Sequence, residues 1–157
     1  MKSIIDKSSL NLNLQIIVVD NQSKIDDYQY MLNTLTALSF SNLEIHRNNV
    51  NSGFGGGNMY GFQFVKAPFT AFINNDTWFL NDCLEIVRNQ MLQNPNMGVG
   101  GAQAFKENGD FMISLDFFAS PAREILGRSI LEFISSKKYP KRKKRYSAPT
   151  AVPFVPG

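Results

Sequence analysis

The stretch "LQIIVVDNQSKIDDYQYMLNTLTALSFSNLEIHRN", residues 14–48, decides the fold. It opens on a short, continuous, β-branched run that ends in polar turn residues. Such a run reads as a strand buried on both faces, the habit of a parallel sheet. Ile25, Tyr28, Met31, Leu32, Leu35 and Leu38 then recur at helical spacing, which predicts an amphipathic helix. Ser23 followed by Asp26 has the spacing of a capping box, with Asp in place of Glu. "LEIHRN", residues 43–48, reads as a second strand. Strand, helix, strand is a βαβ unit, and the chain continues in that rhythm.

After the second strand come "NSGFGGGNMYG", read as a glycine loop, and a predicted short helix over 59–67 that must stop before Pro68. "FTAFINND", residues 69–76, is predicted as a further buried strand. Asn81 or Asp82 can cap a helix carrying Leu84, Val87 and Met91, with Pro95 beyond its end. "MGVGGAQAF" and "DFMISL" flank "KENG", where Asn108-Gly109 predicts an antiparallel hairpin. Residues 123–134 are a weaker helical segment. The alternation of strands and helices argues for an α/β fold with a mainly parallel sheet. Ligands in such sheets sit beyond the carboxyl ends of the strands. That rule singles out residues 20–23, the glycine segment and residues 74–76.

The composition is that of a globular chain: 157 residues, 43% hydrophobic and 12% aromatic. One cysteine, Cys83, excludes an intramolecular disulfide and fits a reducing compartment. No apolar run approaches the roughly 18 residues needed to span a bilayer, and the N-terminus lacks a signal-peptide pattern. A cytoplasmic domain is therefore expected. The net charge of +3 hides an asymmetry. Seven of the 16 basic residues lie in "KKYPKRKKR", residues 137–145, leaving nine against 13 acidic residues elsewhere. A nucleic-acid binder spreads its charge over a face, so no nucleic acid is expected. Pro140 and the lack of apolar periodicity predict a mobile exposed loop there.

The glycine segment fails as a dinucleotide fingerprint. A G-x-G-x-x-G pattern from Gly53 needs glycine at position 58, which is Asn58, and no basic P-loop ending follows. Alone, the glycines also read as a simple surface turn, and Asp20 and Asp76 as turn or cap residues. Asp76 is nevertheless a hard oxygen donor, and Asn74, two residues earlier on an extended segment, points the same way. Magnesium or manganese on a diphosphate needs only one or two protein carboxylates. His46, in a predicted strand, reads as structural.

Taken together, "IIVVDNQS", "NVNSGFGGGNMYG", "FINNDTWF" and "MGVGGAQAF" resemble the nucleotide-sugar domain of family 2 glycosyltransferases, especially the rhamnosyltransferase-like branch. That branch carries V-D-N-x-S, N-x-G-F-x-x-G-N-x-G and L-N-x-D-T. The matches are Asp20, Asn21 and Ser23; then Asn51, Gly53, Phe54, Gly57, Asn58 and Gly61; then Asn74, Asp76 and Thr77, with Ile73 replacing leucine. The resemblance spans about residues 10–115 and returns faintly at "VPFVPG".

It implies a GT-A fold, the Rossmann-like fold of nucleotide-diphospho-sugar transferases: a mainly parallel sheet flanked by helices, here incomplete, with a β-hairpin. It implies transfer of a sugar from a nucleoside-diphosphate donor to a saccharide or lipid-linked acceptor in cell-surface polysaccharide synthesis. Asp20 would face the donor's base or ribose, with Asn21 and Ser23 also in the nucleotide-sugar site. The segment with Gly53, Phe54, Gly57 and Asn58 would approach the nucleotide and shape the pocket floor. Asn74 and Asp76 would replace the family's D-x-D signature, with Asn75 also in the nucleotide-sugar site. Asp76 would hold Mg or Mn on the diphosphate.

Family members begin with a further strand, and inverting members place an acidic base beyond a V-x-G-A element. Met1 falls after that strand, and no Asp or Glu follows Glu132. The resemblance thus implies truncation at both ends, no assignable catalytic base and no transfer by this chain alone. The expected organisation is a partial donor domain over 1–136, a basic linker over 137–148 and the start of an acceptor-side segment over 149–157. The linker would draw the domain peripherally to an anionic membrane at its inner face. The other reading is a non-catalytic α/β module whose basic segment binds such a membrane or another partner.

Overall fold

The computed structural model describes residues 1–9 and 12–152. Residues 153–157, most of the "VPFVPG" match, lie outside the described residues, as do residues 10 and 11, where the family likeness begins. The chain forms two compact units, Met1–Glu85 and Ile86–Gly157.

In the first unit the βαβ reading holds. β1 (Ile16–Asp20) and β2 (Leu43–Arg47) pair in parallel, Ile16 opposite Leu43 and Asp20 opposite Arg47. The ladder is extended at both ends, where Ile16 N–H donates to Asn42 O and Asn48 N–H to Asp20 O. The connecting helix spans Ile25–Thr36, as its periodicity requires, and buries Leu35. A preceding helix, Lys2–Lys7, is tied to residues 79–82. Phe79 N–H donates to the buried Ser3 Oγ at 3.1 Å, and Ser9 N–H to Asp82 Oδ2 at 2.7 Å.

Several local expectations give way. The capping box does not form. Lys24, whose ammonium has no acceptor to offer, sits at the helix N-cap position, and the Ser23 N–H that Asp26 would accept is taken by Asp20 Oδ1 at 3.1 Å. β1 is half-buried, not buried on both faces, with Asp20 its one buried residue. The glycine segment is not a loop: a helix runs from Gly53 to Phe62, so it starts six residues early and stops short of Ala67.

Each glycine inside a helix costs about 1 kcal/mol relative to alanine, so a tertiary contact has to select this one. A Cβ on Gly61 would lie 2.7 Å from Val19 Cγ2 and 3.8 Å from Ile17 Cγ2, and one on Gly57 would lie 3.3 Å from the Asn21 side chain. These two glycines, four apart, share one side of the helix: Gly61 lies on Val19 and Ile17 of β1, and Gly57 on Asn21 in the turn after it. Residues 69–76 form no strand. Backbone groups need a ladder to join, and among the described residues the sheet has only two strands. Phe72 in this segment is exposed, as are Trp78 and Leu80 just after it.

A helix at Cys83–Gln93 starts where Asp82 was expected to cap it, Glu85 N–H donating to Asp82 Oδ1 at 3.3 Å. In the second unit the Asn108-Gly109 turn forms, with Gly109 at φ 83° and Lys106 N–H bonded to Asp110 O. The hairpin above it amounts to one antiparallel bridge, Phe105 with Phe111. The segment 123–134 is two short helices, Pro121–Leu126 and Arg128–Ile134, broken at Gly127, whose φ of 75° no right-handed helix accepts. Leu115, Phe117 and Leu131 are the buried core of this unit.

Candidate functional site at the strand ends

Two of the three singled-out stretches meet. Asp20 ends β1, and the turn after it is locked onto the start of the glycine helix by amide side chains. Asn21 Nδ2 donates to Asn51 Oδ1 (3.1 Å) and to Gly53 O (3.0 Å). Its Oδ1 accepts from Asn48 Nδ2, Ser52 N–H and Ser52 Oγ at 3.2–3.3 Å. Gln22 closes a second clasp, accepting from Asn51 N–H at 2.9 Å and donating to Asn49 O at 3.0 Å. That clasp holds Gln22 at φ 68°, a left-handed conformation that non-glycine residues rarely adopt. Strain of this kind persists only where surrounding contacts over-determine it, and it clusters at functional sites.

Asp20 itself is 4% exposed. Its Oδ2 lies 3.1 Å from Arg47 Nε as an ion pair, without a geometrically satisfied hydrogen bond. Here the carboxylate orders its own turn and anchors Arg47. Arg47 also donates to Ser23 O at 2.8 Å and lies over the Tyr28 ring at 4.3 Å. Sequence reasoning missed this arginine, and also Asn48. The available signal was that two five-residue strands end in opposite charges, but only the register makes them neighbours. Ser23, Gly53 and Phe54 are exposed, Gly57 is buried, and Asn58 is half-buried. Among the described residues, no side-chain hydrogen bond involves Asn58.

The third stretch stands apart. Asn74, Asn75 and Asp76 are exposed, and among the described residues their side chains make no hydrogen bond or ion pair. No group of three or more His, Cys, Asp or Glu could hold a metal among those residues. A lone exposed carboxylate fits a cation whose other positions come from a diphosphate and water, but not one held by protein alone.

His46 is structural, as expected. It stacks on Phe64 with ring centroids 3.6 Å apart and lies 3.3 Å from Glu44 Oε2. The Gln15 amide, Lys66 and His46 all bond Glu44 and hold its carboxyl down at about 2. Two clefts of about 200 and 560 Å³ lie in the second unit, lined by Asp116 to Ala119 with Arg123, and by Lys106, Phe111, Met112, Ile113 and Lys143. No site residue named above lines either one.

Ligands of open α/β sheets bind beyond the carboxyl ends of the strands, which is where these clasped polar loops lie. The family model for glycosyl transferase family 2 matches residues 1–155, and the chain belongs to that family. Its small parallel sheet flanked by helices is consistent with an incomplete GT-A fold. Comparison with curated proteins and with solved structures gave no match. Membership makes the chain a glycosyltransferase domain, whose substrates are a nucleotide-sugar donor and an acceptor.

Proposed function

We propose that the clasped loops at the ends of β1 and β2 form the donor side of the site, taking the nucleoside part of a nucleoside-diphosphate sugar. The observation that carries this reading is the Asn21 network, which joins residues 20–23 to the glycine helix at the strand ends where α/β sheets bind ligands. Asp20 and Arg47 set the turn. Asn21 and Gln22 hold the helix start, where Gly53 leaves room for backbone to approach a ligand. Ser23, Phe54 and Asn58 are left to touch the base and ribose.

Asp76, with Asn74 and Asn75, holds Mg or Mn together with the donor's diphosphate. That cation would stabilise the charge developing on the leaving nucleoside diphosphate. The likeness of the three motifs to the rhamnosyltransferase-like branch makes a rhamnose donor the first to try. A saccharide or lipid-linked acceptor, and a role in cell-surface polysaccharide synthesis on the cytoplasmic side, follow from the same likeness.

Calorimetric titration of UDP, GDP and dTDP with and without Mn²⁺ tests the donor site. Wild type should bind at least one nucleotide in a metal-dependent way. Asp76→Asn should lose the metal dependence, and Asn21→Ala should weaken binding even without metal. Equal affinities in all three proteins would remove the assignment.

A further inference from the structure

The helix Arg128–Ile134 wears its apolar stripe on the outside. Ile130, Phe133 and Ile134, at i, i+3 and i+4, share one face, and they are 49%, 90% and 63% exposed. The opposite side faces the protein. Leu131 is 4% exposed, and Glu132 turns its carboxylate to Arg142 Nε at 2.8 Å. A helix normally hides such a stripe in the core. Phe72, Trp78 and Val99 are also exposed but have no basic run next to them in the sequence; exposed Met112 and Ile113 share a cleft with Lys143 of the run.

The basic run begins three residues after Ile134, and it is not the free loop that its composition predicts. Tyr139 N–H donates to Ser135 O at 2.8 Å, and the Tyr139 ring meets Phe117 edge-on at 5.1 Å. Pro140 is buried, and Arg142 is drawn into its pair with Glu132 and sits 3.9 Å from Asp116. Residues 139, 140 and 142 therefore pin the segment to the unit. Lys137, Lys138, Lys141, Lys143, Lys144 and Arg145 are left exposed, and no acidic residue follows Glu132.

We propose that this helix and the pinned basic segment form one docking surface for an anionic phospholipid bilayer. Phe133, Ile130 and Ile134 enter the acyl boundary while the six cations meet the headgroups. The assignment is independent of the donor site. Charge complementarity selects an anionic partner, and the exposed Ile and Phe stripe selects lipid over nucleic acid, which has no use for aliphatic side chains. No helix among the described residues is long and apolar enough to cross a membrane, so the surface lies on the bilayer. Basic attraction and apolar insertion together are the two signals that stable peripheral binding takes.

Co-sedimentation of the whole chain with vesicles of phosphatidylglycerol and phosphatidylcholine, against phosphatidylcholine alone, tests the surface. Binding should be confined to the anionic vesicles. It should fall by about fivefold for each exposed cation changed to Gln near the surface and weaken with salt. Phe133→Ser with Ile134→Ser should cut it by roughly tenfold or more while circular dichroism stays unchanged. A Phe133→Trp variant in a Trp78→Phe background should shift its emission to the blue on anionic vesicles only. Three results would overturn the proposal: equal binding by the Phe133, Ile134 double variant, pelleting without vesicles as a second copy covers the stripe, or preference for an oligonucleotide over the vesicles.

Discussion

The same substitution at two glycines of one helix should have opposite effects. Alanine at either Gly55 or Gly61 gains helix propensity, about 0.5–1 kcal/mol. Gly55 has nothing within 4 Å of its would-be Cβ, so the gain should appear undiminished. At Gly61 the new methyl would stand 2.7 Å from Val19 Cγ2, where carbon atoms prefer about 3.5–4.0 Å. Helix and strand must part by about 1 Å. β1 is held by its register with β2, and the helix start by the Asn21 clasp, so neither side yields freely. Overpacking of this kind costs about 1–3 kcal/mol. Gly61→Ala should therefore be less stable than Gly55→Ala by about that much, and at best neutral against wild type. Urea unfolding of the three proteins, followed by circular dichroism at constant m-value, measures the difference directly. Stabilities of the two variants within about 0.5 kcal/mol of each other would refute the claim that Gly61 is a packing glycine.

Asn21→Ala removes five side-chain hydrogen bonds; because the site is wet, each is worth less than the ~1 kcal/mol of a buried bond. A loss of about 1–3 kcal/mol is expected, with proteolytic cleavage appearing first near residues 49–53; an unchanged cleavage pattern would count against the clasp. Glu44 has a folded-state pKa depressed from 4.5 to about 2, so its stabilisation is complete above the unfolded value and is lost as pH falls through about 2. Gln15→Leu removes the largest cause and should move acid unfolding to higher pH, whereas an unshifted acid midpoint would show that Glu44 does not report on folding. Burial, and secondarily the Asp82 charge, push the Cys83 thiol up. Its reaction with a disulfide reagent at neutral pH should be slow and should quicken only modestly in Asp82→Asn; a fast wild-type reaction would contradict that burial.

What the sequence made legible was what local periodicity encodes. The β-branched run at 16–20, the helical spacing after Ile25 and the Asn108-Gly109 turn all appear where their patterns put them. The errors have tertiary causes. Four glycines between 53 and 57 argue against helix by propensity, yet a helix forms, its Gly61 lying close on Val19 of β1 and its Gly57 on the Asn21 side chain. Residues 69–76 look like a strand by composition, but pairing depends on a neighbour that composition does not describe. At the candidate site, Asp20 and Asn21 were found as strand-end residues. Arg47 was not, since its meaning comes from the strand opposite.

That pairing of Asp20 with Arg47 at the last rung of the ladder sets a gauge for everything hung beyond it. Side chains alternate faces along a strand, so sliding β2 by one residue would turn Arg47 away and leave the Asp20 carboxylate enclosed without its counter-charge. An abandoned buried charge costs on the order of 3 kcal/mol, more than one rung of ladder returns. The two strands can thus stop only where their ends are level. The 20–23 turn and the glycine helix, each tethered within a few residues of those ends, are delivered at one height above the sheet, like two jaws cut to the same length. Their spacing is fixed during folding, before any ligand arrives.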